Sequence, residues 1–156
     1  MRKTVKKVLF VCTGNSCRSP MAEGYFNFLS GRREADVKSQ SAGVLAADGF
    51  SPSAEAVKVM KERGVDISSY KTKRLSQKMI DLSDMVVVMS GLHKLEIGKR
   101  FKTGGKEVKL LKEFDKNDNM GPVDIKDPIG MPVEIYRDCF EEMKPLIENL
   151  LEEICG

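Results

Sequence analysis

The chain has 156 residues, enough for one domain (1–156) that buries a core without staples, and its 41% hydrophobic and 31% charged residues are those of an ordinary globular protein. A formal net charge of +3, scattered over Lys6-Lys7, Arg32-Arg33, Lys71 to Arg74 and Lys99-Arg100, suits an anionic substrate but falls short of a nucleic-acid footprint. No apolar run approaches the roughly 20 residues needed to span a bilayer.

Met1 to Lys7 is basic, but the apolar stretch 8–12 is too short for a signal sequence, so the expected location is the cytoplasm. Residues 5–11 are β-branched and apolar, which predicts a buried strand ending at Thr13-Gly14-Asn15-Ser16. Ser19-Pro20 then opens a helix, with Ser19 at the N-cap and Pro20 at the first position, running to Gly31. Residues 37–44 form a second strand of low hydrophobicity, 45–50 a loop, and 52–63 a helix closed by Gly64. After an irregular stretch, 66–75, Ser76 caps a short helix over 76–82.

Met85-Val86-Val87-Val88-Met89 is continuously apolar, the mark of a strand covered on both faces as in a parallel sheet. A helix over 90–101, a strand over 106–111 and a polar loop over 112–130 follow. The last helix spans 132–154, and Pro145 is expected to kink or split it. Strands alternating with helices predict an α/β three-layer sandwich, whose ligands sit at the carboxyl ends of the strands.

The segment at the first such end reads Cys12-Thr13-Gly14-Asn15-Ser16-Cys17-Arg18-Ser19, a Cys-x5-Arg-Ser between strand and helix. A short loop of small residues entering a helix can turn several N–H groups toward one point, a nest for a tetrahedral oxyanion. Gly14 allows positive φ, and Asn15 tolerates it better than most residues. Arg18 offers a planar fork for two phosphate oxygens. The same positive surroundings favour the thiolate of Cys12 as nucleophile, and Ser19 can donate to its sulfur. The Gly-x4-Gly-Lys-Ser/Thr pattern of a Walker loop is missing.

This octapeptide, continued by Ser19-Pro20-Met21-Ala22-Glu23, resembles the signature of the low-molecular-weight protein-tyrosine phosphatases. The resemblance continues through Ser41-Ala42-Gly43, Val88-Met89, Leu111-Lys112-Glu113 and Asp127-Pro128, so it covers essentially the whole chain. It implies a flavodoxin-like four-stranded parallel sheet, a phosphothiol intermediate on Cys12, no metal or other cofactor, phosphorylated proteins as substrates, and an Asn15–Ser41 hydrogen-bond network holding the loop.

Departure of the leaving group needs a proton and the phosphoenzyme needs an activated water. Asp127-Pro128 is ordinary turn chemistry when read alone, although Pro128 restricts the backbone of Asp127. The resemblance singles out Asp127 as general acid and then base, leaving Asp115, Asp118 and Asp124 as solvated loop residues. His93, the only histidine, has no placed partner and is expected at the surface.

Ser16 stands where the resemblance to human-type enzymes implies a bulky aliphatic residue, and Ile129-Gly130 stand where it implies aromatic ones. Protein-arginine phosphatases of the same family carry Thr at the Ser16 position, and a polar wall there could hydrogen-bond a guanidinium. Phosphotyrosine is the family's substrate and phosphoarginine the alternative, with Leu45 and Phe50 as apolar walls for either. Ser69 replaces a loop-supporting His found in many members. Thioredoxin-coupled arsenate reductases share the loop closely but need two further cysteines after the central strand, where Ser90-Gly91-Leu92-His93 has none. Cys17 reads either as a packing residue or as a reversible disulfide partner of Cys12. Cys139 and Cys155 read as core residues of the last helix.

Overall fold

The computed structural model describes residues 4–117 and 122–156. Its first strand, β1 (Lys7–Cys12), alternates its side chains between two apolar layers, which is why all five residues after Lys7 are buried. Helix α1 (Arg18–Arg32) follows, then β2 (Lys38–Gly43), α2 (Ala54–Glu62), α3 (Gln77–Leu82), β3 (Met85–Val88), α4 (Gly91–Arg100), β4 (Val108–Leu110), a 3₁₀ turn at Leu111–Phe114, and α5 (Val133–Cys155).

The four strands form one parallel sheet in the order β2-β1-β3-β4. Val8, Phe10, Met85 and Val87 join the core under α1, α2 and α5, while Leu9, Val11, Val86 and Val88 pack with Leu75, Ile80 and Ile97 on the other face. Full burial of Phe10, Phe26 and Phe140 contributes about 1.5–3 kcal/mol each relative to exposure. The expected three-layer α/β architecture is therefore present. Because the chain moves from β1 outward to β2 and later from β3 outward to β4, the sheet changes direction between β1 and β3, and the crevice at that point opens where those two strands end.

Element ends differ from expectation where tertiary contacts decide them. The helix expected to begin with Ser19 as its cap begins at Arg18, with Cys17 as N-cap and no capping side chain. The Ser19 hydroxyl is engaged by Cys12 and Asn15 instead. Pro20 remains acceptable because the first-turn N–H groups have no intrahelical partner anyway. The expected cap Ser76 and the unforeseen cap Ser53 behave differently: their hydroxyls accept from Met79 and Ala56 N–H as free-standing helix starts should. The 106–111 strand shrinks to three residues because the chain turns into a 3₁₀ helix at Leu111. Pro145 does not split the last helix, which is continuous from Val133 to Cys155. Its apolar stripe, from Tyr136 to Leu151, packs on α1 and α2, and that burial outweighs one missing backbone bond. No helix among the described residues is long and apolar enough to cross a membrane.

Candidate active site

The loop from Thr13 to Cys17 lies at the carboxyl end of β1, so the crevice between β1 and β3 opens onto it. Asn15 sits at φ 56, and this left-handed turn swings its carboxamide beneath the loop. Its Nδ2 donates to Ser19 Oγ at 2.8 Å and to Ser41 Oγ at 2.9 Å, and its Oδ1 accepts from Lys73 N at 2.9 Å. The Ser19 hydroxyl also lies 2.8 Å from Cys12 Sγ, where its proton can be donated to the sulfur. The Ser41 hydroxyl in turn donates to Glu23 Oε1 at 2.5 Å, and burial raises the Glu23 carboxyl above its ordinary range. Ser69 borders a cavity of about 230 Å³ beside Asn15, Glu23 and Ser41, so it is Glu23 that reaches the network there.

Backbone bonds fasten the loop to the segment that follows β2. Val44 and Leu45 N–H donate to the Cys12 and Thr13 carbonyls, and Ser53 N–H donates to Ser16 O. Ser16 is half-buried, and Gly14 has room around its α-carbon. Cys17 is buried with Sγ 3.4 Å from Tyr136 Oη, and all four cysteines are free. Burial and that neighbouring sulfur push the Tyr136 hydroxyl up to about 12.

Arg18 is only 4% exposed. One end of its guanidinium donates to Ile125 O at 2.7 Å, a carbonyl held in place because Ile125 N–H bonds Met89 O at the end of β3. The other end lies 3.4 Å from Thr13 Oγ1 and 3.4 Å from Asp127 Oδ2. Arg18 Nε is buried and has no partner among the described residues. A buried cationic donor without an acceptor is costly, and an anion could relieve that cost.

Asp127 comes to the loop from the far end of the chain, with Oδ1 accepting from Ile129 N–H and its side chain 38% exposed. Ile129, Leu45 and Phe50 are all exposed. Asp115 turns its carboxylate onto Asn117 N–H, and Asp118 lies outside the described residues. Asp124 is an exposed loop residue as expected, and its carboxylate also accepts from Gly91 N–H at the start of α4, where the helix dipole favours a carboxylate.

His93 was expected at the surface and is 3% exposed, a clear correction. Its ring spans Thr13 Oγ1 at 2.9 Å and Ser90 N at 3.1 Å. Burial and the Arg18 charge lower its pKa to about 4. Sequence reasoning also missed the parts played by Glu23 and by the Lys73 backbone. The Ser90-x-x-His93 spacing at a helix start, just past the strongest strand, was the one available sign.

Comparison with known proteins gives the chain's family. The family described as low molecular weight phosphotyrosine protein phosphatase matches residues 7–155. A protein-arginine-phosphatase of Geobacillus stearothermophilus is 37% identical over 148 residues, 95% of each chain. A low molecular weight protein-tyrosine-phosphatase of Staphylococcus haemolyticus is 32% identical over 145 residues, covering 92% of this chain and 96% of its own. The crystal structure of a low molecular weight protein tyrosine phosphatase from T. tengcongensis superposes with a TM-score of 0.87 at 42% identity, covering 95% of this chain and 99% of that one.

Proposed function

Since this chain belongs to the low molecular weight phosphotyrosine protein phosphatase family, we propose that it hydrolyses phosphotyrosine in proteins through a cysteinyl-phosphate on Cys12. The observation that carries this reading is the buried, unpartnered Nε of Arg18 on the loop whose Cys12 sulfur is bonded by Ser19. The N–H groups of Thr13 to Ser19 and the Arg18 fork hold the phosphoryl oxygens, leaving phosphorus in front of the sulfur. Cys12 Sγ forms a bond to phosphorus as the P–O bond to the tyrosyl oxygen breaks, and Asp127 gives that oxygen its proton. Asp127, now a carboxylate, takes a proton from water as that water attacks phosphorus, and Cys12 departs as thiolate toward the Ser19 hydroxyl. Free cysteines throughout suit a reducing compartment, so we assign the enzyme to the cytoplasm.

A second reading, phosphoarginine, rests on Ser16 and on the similarity to the Geobacillus enzyme. A hydroxyl at the loop wall can bond a guanidinium that an aliphatic wall would leave unpaired. An arsenate reductase would need a relay of reactive thiols. Cys139 is buried with its thiol pushed up to about 12, which argues against one; Cys155, expected in the core, is instead exposed at the end of α5.

Phosphate release from phosphotyrosine and phosphoarginine peptides tests these readings. Cys12→Ser should bind inorganic phosphate and release none from either peptide; turnover by Cys12→Ser overturns the covalent route. Ser16→Ile should shift the turnover ratio toward phosphotyrosine, and an unchanged ratio removes the case for phosphoarginine.

A further inference from the structure

We propose that His93 is a positioning residue of the phosphate loop, fixing the Thr13 hydroxyl and, through it, the guanidinium of Arg18. This deepens the phosphatase reading and rests on it. Ser90 N–H is a permanent donor and points at His93 Nδ1, so Nδ1 is unprotonated and the ring proton is on Nε2. Nε2 therefore donates to Thr13 Oγ1. Arg18 Nη2 approaches the same oxygen, which fills both of its lone pairs and fixes the direction of its own proton.

The consequence falls on Arg18. Its Nη1 is pinned to the Ile125 carbonyl, while Nη2 is shared at equal 3.4 Å distances between a neutral hydroxyl and the Asp127 carboxylate. Charge-assisted pairing is the stronger of the two. A Thr13 hydroxyl free to rotate would let the guanidinium close on Asp127. That closure would withdraw the fork from the oxyanion and the carboxyl from the leaving group together. His93 prevents it by holding Thr13 in place. Arg18, Asp124 and Asp127 are the charges that face the ring; burial and Arg18 keep it neutral, and so able to accept from Ser90, well below neutral pH.

Calorimetric affinity for inorganic phosphate reads this link without requiring turnover. His93→Phe should weaken phosphate about tenfold, the size of one lost hydrogen bond. His93→Gln, whose Nε2 can reach Thr13, should recover to within about threefold. On a Thr13→Val background His93→Phe should cost nothing more, because the path it acts through is gone. With a phosphoaryl substrate the His93→Phe loss should divide between KM and kcat. Wild-type affinity in His93→Phe, or additive losses in the double variant, overturns the proposal. If His93→Phe does not fold, His93→Gln alone and with Thr13→Val carries the same comparison: a loss above tenfold in His93→Gln, or one that persists on Thr13→Val, overturns it. Phosphate binding without hydrolysis of any phosphorylated side chain would overturn the function above and leave this link standing.

Discussion

Adding one methyl group at Gly43 should damage catalysis more than folding. Gly43 ends β2 in register with Cys12, and its N–H and C=O are both tied into the segment that returns at Lys73 and Leu75. Its φ is not positive, so alanine carries no conformational penalty there; the obstacle is space. A Cβ would lie 2.5 Å from Thr13 O and 2.8 Å from Asn15 N, both backbone atoms of the phosphate loop, and 2.9 Å from Ala46 Cβ. Ordinary contact begins near 3.4 Å, so the loop must withdraw by about 0.9 Å. A misplacement of about 1 Å costs on the order of 10²-fold in rate, equivalent to about 2.7 kcal/mol of transition-state stabilisation. Overpacking of this kind costs about 1–3 kcal/mol of stability, several degrees of melting temperature for a chain this size. Gly43→Ala should therefore remain folded at 25 °C by circular dichroism while kcat/KM on a phosphoaryl substrate falls about 100-fold. A folded variant within about threefold of wild-type kcat/KM would refute the claim that close approach of β2 sets the loop's shape.

Asn15→Ala removes three hydrogen bonds, leaves Lys73 N–H unpaired and places alanine at φ 56, so urea unfolding should show a loss of about 3 kcal/mol; a loss under about 1 kcal/mol would mean the network contributes little. For His93 the sign follows from a folded pKa of about 4 against 6.5 when unfolded. Between those values the unfolded chain binds a proton that the folded chain does not, so stability present above pH 6.5 falls away as pH drops toward 4. The wild type should lose about 3 kcal/mol more than His93→Gln across that window in parallel denaturation series, and superimposable pH curves would show that the ring gains no stability from being neutral. Tyr136→Phe deletes the hydroxyl against Cys17 Sγ and should cost about 1 kcal/mol with kcat unchanged within about twofold; a large kcat loss would mean the Tyr136 hydroxyl matters to the loop's chemistry.

The phosphate loop was legible in the sequence because its chemistry is local: a thiol, an arginine and small residues between an apolar run and a helix. The sheet was legible for a similar reason, since Val86, Val87 and Val88 have no polar face to offer solvent. What the sequence hid depends on partners far along the chain. Ser19 has every attribute of an N-cap, yet its hydroxyl is drawn to Cys12 and Asn15. The polar strand β2 buries Ser39 and Ser41 only because Asn27 and Glu23 of α1 reach their side chains. His93 looked unpartnered because Thr13 lies 80 residues away, brought close by the reversal of strand order between β1 and β3. No periodicity records that. The acid role proposed for Asp127 rests on resemblance and on its placement beside Arg18, since an Asp-Pro step says nothing about which loop it will meet.

The same reversal explains how, in the proposed reaction, one arginine serves both the anion and the acid. Arg18 and Asp127 are within 3.4 Å, and a tight ion pair would disable both, yet the two halves sit in different surroundings. The guanidinium is 5% exposed and the carboxylate 38% exposed, so water screens the carboxylate and the pair is worth on the order of 1 kcal/mol or less. A phosphoryl dianion in the loop meets Arg18 in drier surroundings, with backbone N–H groups and the idle Nε added, and each charge-assisted bond there is worth about 1.5–3 kcal/mol. With Thr13 holding the guanidinium off Asp127, the anion wins that comparison. In the proposed reaction the Asp127 carboxyl, not closed on Arg18, is then free to serve the leaving group as the substrate arrives.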